Sequence, residues 1–307
     1  MQVFHLTSPA ADSQQAPSLK RWIWRSYLKT TLAPLLLVEV VIVLIYVATS
    51  VVSHRESVAS LRQVAQKELA NLAGKEALAI DERFKAISQL TSLYASQTAR
   101  ALDTPYTPLA SEVARYRRAP SGAYYTAADN GGSAMFYSGA VPIGAAQRQK
   151  AHRLVQLDPL MRDLKRGNDM IVQVYLNTFD SLNRIYPYFD VLSQYPAKMD
   201  IPTFNFYYEA DAAHDPKRNA VWTDAYLDPA GQGWIVSSIA PVYRGDFLEG
   251  VVGIDVTIAS IIERILGLST PWGGYGMLVS STGTAIAIPR AGESDWGLRE
   301  LTRHDYQ

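Results

Sequence analysis

Apolar residues fill the stretch from Thr31 to Ser53, TLAPLLLVEVVIVLIYVATSVVS, almost without interruption. That is the length a helix needs to cross a hydrocarbon core of about 30 Å, so the pattern predicts a transmembrane span over 31–53. Pro34 falls in its first turns, where a missing donor costs little. Beyond Ser53 the spacing changes. Val58, Leu61, Val64, Leu69, Leu72, Leu78, Phe84, Ile87, Leu90 and Tyr94 recur at helical intervals among Arg, Gln, Lys and Glu, which predicts a long stalk helix over 54–102. Loops rich in Pro, Gly, Ser and Tyr follow from Thr104 to Gly144, with one short strand at Ala134 to Tyr137, and then a helix from Gln147 to Lys165.

The period then becomes two. MIVQVYLN (Met170 to Asn177) and LNRIYPYF (Leu182 to Phe189) flank the turn TFDS, and two further strands, Gly233 to Tyr243 and Phe247 to Asp255, flank the turn of Arg244 to Asp246. Alternating β-branched and aromatic residues around turn tetrapeptides predict antiparallel hairpins. Thr257 is placed to cap a short amphipathic helix, IASIIERIL. After Pro271 another hairpin, GYGMLVS-STG-TAIAIP, repeats the layout. The expected fold class is α+β: a cytosolic N-terminal arm (1–30), the span (31–53), the stalk helix (54–102), an antiparallel-sheet module (103–270), and the start of a second module (271–307). The chain reaches Gln307 before such a second module could close, so it reads as a piece of a longer receptor.

Charge orients the span. Lys20, Arg21, Arg25 and Lys29 precede it, with Trp22, Trp24 and Tyr27 among them, which predicts a cytosolic N-terminus and an uncleaved anchor in the inner membrane. Glu39 lies within the span and is read as a protonated carboxyl facing a partner helix, in keeping with an expected homodimer. Lys and Arg number 29 against 29 Asp and Glu, so no net field favours nucleic acid. Cysteine is absent and five His are scattered, which excludes disulfides, cysteine nucleophiles and thiolate metal sites. The sequence holds neither a phosphate-cradling GxxxxGK loop nor a nucleophile elbow. No catalytic residue, metal or cofactor is expected; the class is a binding module, with a ligand-free structural ectodomain as the rival.

Two runs carry a family resemblance. GVVGIDVTI (Gly250 to Ile258), after a strand ending APVYRGDFLE, and WTDAYLDPAGQGWIVSSIAPVY (Trp222 to Tyr243) resemble the double Cache sensor domains of bacterial transmembrane receptors. The resemblance implies an extracytoplasmic small-molecule sensor joined to a histidine kinase, the first expectation, or to a chemoreceptor signalling domain or cyclic-dinucleotide enzyme. In amino-acid-binding members, an Arg followed by Trp-Tyr grips the ligand carboxylate, while a Tyr-x-Asp pair and the Asp of the GVVGID run hold its ammonium. Here Tyr226-Leu227-Asp228 matches the Tyr-x-Asp pair and Asp255 the final acid. Asn205 stands where the Arg is expected, and Tyr207 and Tyr208 replace Trp-Tyr.

An Asn amide offers a carboxylate neither charge nor a bidentate fork. The resemblance therefore implies a cationic amine without a carboxylate, held by Asp228 and Asp255 within a cage of Tyr207, Tyr208, Trp222 and Tyr226; a carboxylate or amino-acid ligand is the alternative. Each residue also has a structural explanation. Asp228 precedes Pro-Ala-Gly and is placed to initiate a turn, Asp255 is near enough to the following helix to cap it, and Trp222 is suited to a core. Arg218 and Lys217 sit in a loop with Asp211 and Asp215, the pattern of a solvated face.

Overall fold

The computed structural model describes residues 18–268, 270–279 and 285–297. The chain divides into two compact units, Met1–Asn71 and Leu72–Gln307. α1 (Leu19–Tyr27) passes through a π-helical turn (Leu28–Leu32) into α2, a helix that runs Ala33–Asp103 and belongs to the second unit from Leu72 onward. Its apolar window, with a mean hydropathy of 2.7, is long and apolar enough to cross a membrane, and none of that window is buried.

The second unit is α+β. The loop region after α2 holds more structure than its composition suggests: α3 (Ala110–Val113), then three short strands, β1 (Tyr116–Arg118), β2 (Tyr124–Thr126) and β3 (Ala134–Tyr137). The single helix expected over 147–165 is two, α4 (Ala145–Arg153) and α5 (Asp158–Gly167), joined by a 3₁₀ turn at Leu154–Leu157. Pro159 explains the break, since a residue without an amide proton fits only a first helical turn. The hairpin strands β4 (Ile171–Thr178) and β5 (Leu182–Tyr186) follow, then α6 (Val191–Gln194), α7 (Asn205–Tyr208) and the two-residue strands β6 (Val221–Trp222) and β7 (Tyr226–Leu227). β8 (Trp234–Arg244) and β9 (Phe247–Thr257) are the longest strands, joined through Gly245 at φ 62°, a backbone conformation that favours glycine in a two-residue hairpin loop. In α8 (Ile258–Leu266) the Thr257 side chain accepts from Ser260 N, as its position in the sequence predicted. Beyond it, β10 (Leu278–Val279) pairs antiparallel with β11 (Ala285–Ala287), and α9 (Arg290–Trp296) follows. The turn expected between those two strands and the segment from 298 onward lie outside the described residues.

β1 to β9 form one antiparallel sheet in the order β1-β2-β3-β5-β4-β9-β8-β6, with β7 also on β8. Because successive side chains of a strand face opposite ways, each central strand contributes to two cores. On one face Val174 and Leu176 of β4, with Ile254 and Val256 of β9, pack against Ile87, Tyr94 and Leu102 of α2 and against Leu154, Met161 and Leu164. On the other, Tyr175, Ile185, Ile239 and Val251 lie beneath residues of the 191–230 segment, among them Val191, Tyr195, Met199, Phe206 and Ala230. The helix face also buries Arg184 completely. Its guanidinium donates to Asp158 Oδ1 (3.1 Å), Ser133 Oγ (2.7 Å), the Tyr116 hydroxyl (2.7 Å) and Ala151 O (2.7 Å). A buried charge persists only when paired in this way.

Candidate functional site

The second core is not completely filled. A small cavity with an open mouth lies between the sheet and the segment covering it. Its floor follows from strand alternation. Gln173, Tyr175 and Asn177 occupy every second position of β4 and face the same way, with Asn183 and Ile185 beside them on β5 and Asp255 on β9. Tyr195, Met199, Ile201 and Phe206 line it from the covering segment, as do Asp228 and Pro229 from the β7–β8 turn. The antiparallel register sets Gln173 opposite Asp255, and Asp255 opposite Ser237 of β8, in one row across the sheet.

That row is a chain of polar contacts. Ser237 Oγ donates to Asp255 Oδ1 (2.6 Å) and also lies 2.6 Å from the Tyr226 hydroxyl, while Ser237 N donates to Thr223 Oγ1 (3.0 Å). Asp255 is 2% exposed. Burial, and then the neighbouring charge of Asp228, push its carboxyl well above the usual carboxylate range, against a smaller opposing pull from Ser237. Burial also raises Asp228, opposed by the amides of Ala230 and Gln232 and by the Gln173 side chain. Tyr175, Tyr195 and Tyr226 are raised by the same desolvation. Among the described residues, no Lys, Arg or His lines the cavity, and Gln173 Oε1, Asn183 Oδ1 and the Tyr175 hydroxyl are buried without a partner. Two acids with no base make a site suited to a group that carries positive charge.

Of the seven residues singled out in the sequence, the fold brings three together here: Asp228, Asp255 and Tyr226. Asp228 also starts its turn, accepting from Ala230 N (2.9 Å) and Gln232 N (3.1 Å), so the turn and the cavity share one carboxylate. Asp255 caps no helix; Thr257 does that. Trp222 lies on the other face, its ring tilted by 43° against Phe84 of α2 at 4.5 Å with its Nε1 donating to Ser88 Oγ (2.9 Å), which makes it part of the helix core and not a wall of the cavity. Tyr207 is buried but borders the Asp180–Glu249 end of the sheet, Tyr208 is exposed near His214, and Asn205 begins α7; none of the three reaches the cavity, whereas Phe206 between them does. The Arg218 guanidinium stacks on Tyr243 at 3.9 Å and donates to Asp246 (3.2 Å), also away from the cavity. The residues that sequence reasoning missed are Gln173, Tyr175, Asn177, Asn183, Tyr195 and Phe206. A signal existed for the first three: polar side chains at every second position inside an otherwise apolar strand.

No family model matches the chain. Solved structures do. The chain is similar to ligand-binding domains of bacterial chemoreceptors. The ligand-binding domain of the Campylobacter jejuni chemoreceptor Tlp3, solved with L-valine, aligns over 80% of this chain and 78% of its own at 14% identity and a TM-score of 0.49. That of the Pseudomonas aeruginosa chemoreceptor PctC, with GABA, aligns over 77% and 83% at 19% identity and 0.44. The match to Pseudomonas aeruginosa PctB, with L-Arg, has 24% identity and a TM-score of 0.34, and covers 46% of this chain and 54% of that domain, about half its length.

Proposed function

We propose that the chain is the sensor region of a membrane-anchored bacterial receptor, holding a small ligand outside the cell by its ammonium group between Asp228 and Asp255. The observation that carries the reading is that these two carboxylates line one cavity in which no basic side chain is found among the described residues. Each is costly to ionise there alone. A ligand ammonium would repay part of that cost with charge-assisted hydrogen bonds, leaving Tyr175, Tyr195, Tyr226 and Phe206 to enclose its apolar part. The apolar window of α2 and its basic flank support anchoring with the N-terminus in the cytosol.

The simple amine expected from the sequence is one form of such a ligand, and an α-amino acid is the second reading. Asn205 does not reach the cavity, so its amide no longer argues against a carboxylate. The chemoreceptor domains named above were solved with L-valine, GABA and L-Arg, each of which joins an ammonium to a carboxylate. Thermal-shift titration of the full chain in detergent with ethylamine, 1,4-diaminobutane, L-valine, L-arginine and GABA tests the site. A ligand at a hundred times its Kd is expected to stabilise the folded state by about 2.7 kcal/mol. A silent panel, or an Asp255→Asn variant that responds like the parent, would overturn the proposal. The histidine kinase output has no structural observation behind it, and sedimentation of the detergent-solubilised chain tests the homodimer.

A further inference from the structure

The cavity has a second polar end. Asn177 and Asn183 face each other across β4 and β5, Asn183 Nδ2 donating to Asn177 Oδ1 at 2.8 Å. Both residues are nearly inaccessible, at 2% and 4% exposure, yet both line the cavity, and Asn183 Oδ1 has no partner among the described residues. Asn177 lies four residues along β4 from Gln173, whose row holds Asp255, a separation of about 13 Å at the rise of an extended strand. Between the two rows lies Tyr175, its ring drawn over Gly253 of β9. The floor thus runs from an acidic end through an aromatic middle to an uncharged amide end.

We propose that the Asn177–Asn183 pair is a distal specificity subsite that takes a neutral hydrogen-bond donor, so that the ligand is an ammonium compound ending in a carboxamide or hydroxyl group. The inference rests on the acidic end being the ammonium seat. Its chemistry is that of the free acceptor. A carbonyl oxygen buried without a donor carries its full desolvation cost, and a ligand N–H or O–H removes that cost. A carboxylate at the same place could accept from the Asn177 amide but would find no Lys or Arg to neutralise it among the described lining residues. A second ammonium would meet an amide dipole where it needs a countercharge.

The test is isothermal titration of the full chain in detergent with pentylamine, 4-aminobutanamide and GABA, which share a chain length and differ at the far end. The amide is expected to bind about fivefold or more tighter than the alkylamine, the equivalent of one net hydrogen bond, and GABA the weakest of the three. Asn183→Leu is expected to erase the advantage of the amide over pentylamine. Should that variant not fold, the isosteric Asn183→Asp is expected to reverse the order, preferring 1,4-diaminobutane over 4-aminobutanamide. GABA binding best, or an order unaltered by Asn183→Asp, would overturn the distal subsite, as would binding of L-valine alone. Failure of every ammonium compound, L-valine included, would instead remove the acidic seat on which it rests.

Discussion

The ring of Tyr175 lies across Gly253, its partner in the β4–β9 ladder, in the space that a Cβ at Gly253 would need. The glycine inside the GVVGID run therefore belongs to the cavity as much as to the strand, because it lets an aromatic floor lie flat on the sheet. Gly253→Val is expected to lift that ring, costing about 1–3 kcal/mol in urea unfolding as overpacking does, and to abolish ligand-induced thermal stabilisation.

Asp255→Asn separates recognition from folding. The carboxyl is buried and held well above the usual range by desolvation, so the folded chain gains little from its charge. Calorimetric melting is expected to show the variant as stable as the parent near neutral pH, or more so, and titration is expected to show no ligand binding. Loss of folding together with loss of binding would assign Asp255 a structural part instead.

The pH dependence has a definite sign. A carboxyl raised in the folded state binds its proton more tightly there than in the unfolded chain, so its contribution is complete below the ordinary Asp value of about 3.9 and fades as pH rises through the folded value. Without ligand, the thermal midpoint of the parent is expected to fall relative to Asp255→Asn as pH rises above about 4. Over the same interval ammonium affinity is expected to rise, because the seat must be ionised to pair. Asp180 and Asp211, which neighbouring groups hold below the usual range, work in the opposite sense in both proteins and cancel in the difference.

Trp222 distinguishes core from cage. Its indole donates to Ser88 on the helix face, so Trp222→Phe is expected to cost about 1 kcal/mol of stability, measured by urea unfolding, with ligand affinity unchanged. A tenfold loss of affinity would place the ring at the ligand after all.

Arg184 offers a test of the helix face. Asp158→Ala leaves that guanidinium buried without its carboxylate, and chemical unfolding is expected to show a loss of about 3–5 kcal/mol.

The sequence by itself determined the local elements: the apolar span, the periodic helix that follows, both long hairpins and the Thr257 cap. Each rests on a period, a turn residue or a capping side chain within a few positions. The matched run also pointed to Asp228, Asp255 and Tyr226 as one group. What it could not supply was which face of which strand each residue occupies. Trp222 pairs with Ser238, whose hydroxyl meets Thr91 of α2, whereas the adjacent Ser237 pairs with Asp255 and its hydroxyl donates to that carboxylate on the opposite face. A shift of one residue along a strand exchanges the two faces, and only the register, set by partners far apart in the chain, fixes it. For the same reason Gln173, Asn177 and Asn183 read as interruptions in apolar strands until β4 took its place between β5 and β9. The tertiary structure alone decided that those interruptions share a floor with two buried acids.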